Sequence, residues 1–250
     1  YSSKYAANLT VTCDDVWEKP ENDVVFPKIK VKVGDFYYQD KTFSSTYIDN
    51  AQNPCIGIVF VVNDDGTTGK IVSLDEATDH EIVWSTHVDL VTNATDPTDG
   101  ANNTQIIVNL NTYSAANYPA FAWCATKNPP ATAGITWYLP AIKELRQLYA
   151  AMSGLKLVAS GASTGEIGDW GNAKAMPNYD TYAAERTAFN NKFTTAQGTE
   201  IELSDGFFYW SSTEKSMDSA YILTSSTGRT GSVNKNFNYY FLGVRAVSAF

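Results

Sequence analysis

Cys55-Ile56-Gly57-Ile58-Val59-Phe60-Val61-Val62, then Asn63-Asp64-Asp65-Gly66, then Gly69-Lys70-Ile71-Val72-Ser73-Leu74, is the stretch that decides the fold. The first run is apolar and of strand length, so it reads as a buried strand. The Asn/Asp/Gly tetrad is hairpin-turn chemistry, and the third run is the partner strand. Asp64, Asp65 and Gly66 need no explanation beyond that turn. Upstream, a Pro/Glu/Asp/Asn stretch from Glu18 to Asp23 leads to the alternating Ile29-Lys30-Val31-Lys32-Val33. Residues 1–33 are therefore expected to be a lead-in ending in one strand, or the tail of an upstream module, with residues 34–250 forming the main domain.

Downstream, Asn93 to Thr104 reads as a polar loop, and Ala115 to Lys127 carries Phe121 and Cys124 on a helix-like face interrupted by Pro119. A clear helix begins at Pro140, where proline suits the first turn. Ile142, Leu145, Leu148 and Met152 form its apolar stripe before Ser153-Gly154 ends it. A second helix is predicted from Thr181 to Phe193, with Tyr182, Arg186, Phe189 and Phe193 on one face and Gly198 as the stop. Phe207–Thr213, Ser219–Thr224, Gly231–Asn234 and Gly243–Phe250 then read as an antiparallel meander. The class expected is α+β, two helices packed on a twisted, mostly antiparallel set of short strands with long loops. The interval Ala159 to Asn178, with Gly161, Gly165, Gly168, Gly171 and Trp170, reads as a long ordered loop of the kind that carries function.

Composition restricts the partners. The 250 residues hold 27 acidic against 18 basic side chains, a net charge of -9, so no cationic stripe exists to release counterions and nucleic acid is not an expected ligand. No apolar run reaches the roughly 18 residues of a membrane span. The chain starts at Tyr1 without Met, so a signal or lipid-anchor segment upstream of it is expected to have been removed. The two histidines, His80 and His87, flank the apolar Ile82-Val83-Trp84, read as a strand, and form no HExxH pair. Cys13, Cys55 and Cys124 contain no CxxC; Cys55 and Cys124 look like small core residues, with a bridge between them left open.

Six phrases in order carry a resemblance. They are Gly34-Asp35-Phe36-Tyr37-Tyr38; Ile56-Gly57-Ile58-Val59-Phe60; Asp99-Gly100-Ala101-Asn102-Asn103-Thr104; Trp137-Tyr138-Leu139-Pro140-Ala141 with Glu144-Leu145; Tyr209-Trp210-Ser211-Ser212-Thr213-Glu214; and Val244-Arg245-Ala246-Val247 to Phe250. Together they resemble the Lcl C-terminal domain family, the adhesive end of a collagen-like bacterial surface protein, a domain that recurs in Bacteroides fimbrillin-type lipoproteins. The resemblance implies a C-type-lectin-like fold, a cell-surface, outer-membrane-anchored address and binding without established catalysis. The same fold hosts sulfatase-modifying enzymes that work through cysteines, whereas Cys124 sits alone in an apolar Phe-Ala-Trp-Cys-Ala context.

Among charged residues, Glu144 in the first turn of the Pro140 helix, or Glu214 after the Trp210–Thr213 strand, is expected to pair with Arg245 as a buried clamp joining helix to sheet. Ser211 and Ser212 lie in no GxSxG elbow and read as sheet hydrogen-bonding groups. Asp96, Asp99 and Asn102 supply hard oxygen ligands of the kind calcium takes, although Asp-Gly-Ala-Asn is also turn chemistry. Trp170 and Tyr179, with Asn236, Asn238, Tyr239 and Tyr240 before the last strand, are the candidate ligand-binding residues, since in a C-type-lectin-like fold such loops form the ligand face. Three functions stay open. They are a non-catalytic module binding a glycan, matrix or protein ligand, a structural subunit or tip component of a fimbria-like assembly, and an enzyme related to the sulfatase-modifying proteins.

Overall fold

The computed structural model describes residues 30–77, 82–127, 134–159, 165–168, 179–238 and 241–250. In chain order, β1 (Phe36–Tyr38) and β2 (Phe43–Ser44) precede the hairpin of β3 (Cys55–Val62) and β4 (Gly69–Ser73). Three helices follow, α1 (Gly100–Val108), α2 (Pro119–Thr126) and α3 (Ile142–Ser153), then the short strands β5 (Lys156–Val158) and β6 (Glu166–Gly168). A 3-10 turn (Tyr179–Tyr182) leads into α4 (Ala183–Thr195), and the chain closes with β7 (Phe208–Glu214), β8 (Ser219–Thr224), β9 (Thr230–Asn234), β10 (Leu242–Gly243) and β11 (Val247–Ala249).

The α+β class stands, with four helices among the described residues where two were expected. The strands form a five-stranded sheet in the order β11-β4-β3-β1-β2, a four-stranded sheet β10-β7-β8-β9, and the parallel pair β5-β6. The 55–74 hairpin sits at the centre because both faces of its sheet are covered. Phe36, Tyr38, Ile58, Phe60 and Val72 point into one core with α3 and α4, while Tyr37, Val59 and Ile71 point into a second core with Trp84, Phe121 and Trp137. A strand buried on both faces reads as a continuous apolar run, which is why β3 shows no alternation. The closing sheet feeds the same two cores, Tyr209 and Leu223 into the first and Trp210 and Ile222 into the second.

Several local expectations are corrected. The polar stretch 93–104 is only partly loop: Asp99 caps a helix there, its side chain accepting from Asn102 N–H, so the Asp-Gly-Ala-Asn phrase is a helix start. Polarity hid it, because only Gly100, Asn103 and Ile107 of α1 are buried. The closing run is no simple meander. Leu242–Gly243 pairs parallel to β7 in one sheet and Val247–Ala249 pairs antiparallel to β4 in the other. The crossover at Val244–Ala246 is held by Ala77 N–H on Val244 O (3.0 Å) and Ser73 N–H on Ala246 O (2.9 Å). Lys30–Val33 is not a strand, and Ile29 lies outside the described residues. Val31 is nonetheless buried and donates its N–H to Gly66 O at the hairpin turn (3.1 Å). Ile82–Trp84 is irregular rather than a strand, and the glycine-rich interval holds β6.

α3 follows its stripe. Ala141 is the N-cap, Glu144 reaches back to the Ala141 N–H, and Gly154 ends the helix in the left-handed region (φ 62°), where glycine carries no side-chain penalty. No helix among the described residues is long and apolar enough to cross a membrane.

Candidate functional site

The family-like phrases converge on buried junctions. At the first, Arg245 lies between the sheets with its guanidinium on Glu76, Nη2 to Oε2 at 2.8 Å and Nε to the same oxygen at 3.3 Å. Its remaining donors go to the carbonyls of Ser73, Thr199 and Glu200, and the ring of Phe193 lies 4.7 Å from the guanidinium carbon. Tyr209 donates its hydroxyl to Glu76 Oε2 (2.6 Å), and burial raises the ionisation of that phenol well above its ordinary range, so it stays a donor. Arg245 therefore pairs with Glu76, and with neither Glu144 nor Glu214 as expected. Glu76 comes from the segment after β4, whose sequence gave it no distinguishing pattern.

The second junction gathers around Glu144. Oε1 accepts from Lys70 Nζ (2.6 Å) and Tyr138 Oη (2.8 Å), while Oε2 accepts from Ala141 N–H (2.7 Å) and Gly100 N–H (3.1 Å). One carboxylate thus holds the starts of α1 and α3, where free N–H groups and the helix dipole favour negative charge. Gly100 is glycine for space, since a Cβ there would stand 2.5 Å from Glu144 Oε2 and 2.6 Å from Ala141 N. Desolvation, and then the neighbouring Glu144, push the Tyr138 phenol far above its ordinary value.

At the third, Glu214 accepts from Thr92 N–H and Asn93 N–H, both at 2.9 Å, and from Lys235 Nζ at 2.5 Å. Lys235 completes its donors on Leu90 O and Met217 O and sits 5.0 Å from the Trp84 ring. Ser211 and Ser212 are fully buried and bonded inside this framework, Ser211 Oγ to Tyr221 O and Ser212 Oγ accepting from Asn103 Nδ2. They act as hydrogen-bonding groups, as read from sequence.

Other sequence candidates fall as follows. Asp96 Oδ1 accepts from Thr98 N–H, Thr98 Oγ1 and Asp99 N–H, and Asp99 is the α1 cap, so both carboxylates are spent locally; Asn102 is exposed on α1. Among the described residues no three His, Cys, Asp or Glu side chains cluster to hold a metal. Cys55 and Cys124 are both free thiols, not bridged. Burial drives the Cys124 thiol far above its usual range and pushes Cys55 up to about 11, so neither is a ready thiolate. His87 is half-buried beside Tyr118, and His80 lies outside the described residues. Of the ligand candidates, Asn236 and Asn238 share an exposed turn after β9, and Tyr179 opens the 3-10 turn. Trp170, Tyr239 and Tyr240 lie outside the described residues. The turn also exposes Phe237 and, beyond it, Phe241, which sequence reading missed because neither breaks the aromatic pattern around it.

The family comparison fits these junctions. Residues 74–245, more than half of the chain, match the Lcl C-terminal domain, and the chain belongs to that family. The span runs from the residue before the Glu76 segment to Arg245 and so includes all three carboxylates. Among solved structures, the chain is similar to a fimbrial protein from Bacteroides ovatus ATCC 8483, with a TM-score of 0.54 and 18% identity over 88% of this chain. The chain spans about half of that protein, 48% of its length. A comparison with curated proteins finds no match.

Proposed function

We propose that the chain is a non-catalytic structural module of a bacterial surface assembly of the fimbrial kind, displayed outside the cell. The observation that carries this reading is the likeness to the fimbrial protein over 88% of the chain, which makes nearly the whole fold, rather than a small insert, the shared part. The buried junctions agree with it. Their carboxylates are each held by several backbone and side-chain donors, which suits a rigid building block. The C-type-lectin-like description of the fold belongs with this proposal, on the strength of the six phrases. Lipid anchoring to the outer membrane belongs with it too.

The test is cross-linking of intact producing cells followed by electrophoresis and detection of this chain. A ladder of regularly spaced bands carrying this chain, removable by protease added outside the cells, is the expected result. Monomer alone, or chain protected from the protease, would sink the reading.

A second reading, adhesion to a glycan or extracellular protein, is favoured by the exposed turn bearing Asn236, Phe237 and Asn238, with Phe241 also exposed. Planar aromatics beside amide donors suit sugar rings and protein surfaces alike. A glycan and matrix-protein array, run with calcium and with chelator, tests it. Binding lost on Phe237→Ala or Asn236→Ala supports this turn, and loss with chelator would point to calcium at Asp96, Asp99 and Asn102.

A further inference from the structure

We propose that the outer edge of β9 is a docking site for an extended, acidic segment of another polypeptide. This deepens the assembly reading and rests on it, by naming one surface through which such a module would be joined.

β9 pairs with β8 over consecutive positions without a bulge, from Ser219↔Asn234 to Leu223↔Thr230. Among the described residues no strand pairs with its other side. The phase of the ladder follows from two bonds that bracket it, Lys235 N–H to Asp218 O (2.8 Å) and Thr224 N–H to Arg229 O (2.7 Å). With that phase, Gly231 and Val233 spend their backbone groups on β8, whereas Thr230 and Ser232 direct theirs outward. All of β9 is half-buried or exposed.

Natural sheet edges are usually blunted by charge, proline or a bulge against unwanted pairing. None of the residues Thr230-Gly231-Ser232-Val233-Asn234 is charged or proline, and their pairing with β8 has no bulge, so the only charge at this edge comes from flanking side chains. Its charged surroundings are also selective. Although the whole chain carries -9, Arg229 stands exposed at the start of the strand and Lys215 places its Nζ 2.8 Å from Ser232 Oγ at the centre. Asp218, an acidic neighbour, is beside the far end and accepts from Ser216 Oγ (2.6 Å). An added strand would gain main-chain hydrogen bonds from the edge, and two cations would select for carboxylate side chains on it.

The experiment uses the full chain and two fluorescein-labelled, end-capped peptides, one alternating Val and Glu and one alternating Val and Lys, followed by fluorescence anisotropy. The Val-Glu peptide is expected to bind and the Val-Lys peptide not. Ser232→Pro removes an outward N–H without touching the β8 ladder, and should weaken binding at least tenfold. Lys215→Glu with Arg229→Glu, both on exposed side chains, should turn the preference toward the Val-Lys peptide even if the proline variant folds poorly. No binding of either peptide, equal binding of both, or Val-Glu binding that survives the charge reversal would overturn the proposal. The two readings fail separately. A cellular cross-linking ladder that persists in the charge-reversed variant removes this edge and keeps the assembly, whereas absence of any ladder removes the assembly reading itself.

Discussion

Glu214 with Lys235 and Glu144 with Lys70 are the same chemical pair placed in two different solvents. Each carboxylate collects two backbone N–H groups and one ammonium, Glu144 adding the Tyr138 hydroxyl, and each ties a β-strand to segments far away in sequence. The difference lies in the lysine. Lys235 is 0% exposed with every donor on a protein oxygen, while the Lys70 side chain is 24% exposed. Loss of Lys235 strands a carboxylate that water cannot reach, and loss of Lys70 opens a place that water can enter. Pairs that look alike in a contact map are therefore expected to differ several-fold in consequence.

The comparison breaks first at Lys235. Lys235→Met keeps the length of the stem over Trp84 and removes the charge, and is expected to cost about 3–5 kcal/mol, enough to unfold a marginal domain. Arg245→Ala should fall in the same range, because Glu76 is also buried and the guanidinium itself, 1% exposed, also serves the carbonyls of Ser73, Thr199 and Glu200. Urea denaturation of the purified variants measures both. A loss under 1 kcal/mol for Lys235→Met would mean that water reaches Glu214 after all.

Gly100→Ala comes next and sharpens the other side. It leaves every charge of the Glu144 junction in place and inserts a methyl group against Oε2 and Ala141 N. Overpacking of this kind is expected to cost about 1–3 kcal/mol, read as a lower denaturant midpoint at unchanged slope. A neutral Gly100→Ala would show that the starts of α1 and α3 can separate, and that Glu144 holds them less firmly than its bonds suggest.

Sequence made some of this visible and hid the rest for a physical reason. The 55–74 hairpin, the α3 stripe and its Gly154 stop are local patterns, and each formed where its period placed it. Glu144 and Glu214 were recognisable as buried because charges inside apolar phrases survive by pairing. Their partners were not. Lys70, Glu76 and Lys235 come from elements 74, 169 and 21 residues away from the groups they neutralise, and nothing in a local pattern says which strands will meet. The helix in 93–104 was hidden differently, since a short helix with a polar outer face carries the same composition as a loop, and only the Asp99 cap distinguishes it. The last run, split between two sheets, has no signal at its switch point beyond the apolar residues that both sheets require.

Lys70→Met should be the mild member of the pair, at about 0–1 kcal/mol. Its value lies in the ratio to Lys235→Met, and equal losses would erase the distinction drawn from exposure. Asp65 extends the scale to a carboxylate with no cation and no burial. It accepts from Thr67 N–H (2.7 Å), Thr68 N–H (3.0 Å) and the Thr68 hydroxyl (2.9 Å) at the hairpin turn, and these bonds, the backbone ones foremost, lower its carboxyl from 3.8 to about 2. A depressed folded value means that the stabilisation is present above the unfolded value and is lost as pH falls through the folded one. Melting temperatures of wild type and Asp65→Asn should therefore differ by a constant small amount from neutrality down to about pH 4, and converge as pH falls toward 2. A gap that stayed open at pH 2 would assign the effect to the shape of the turn and not to the charge. In that case hydrogen bonds from uncharged donors alone would not explain the hold on Glu144 and Glu214, and the lysines would account for more of it than exposure suggests.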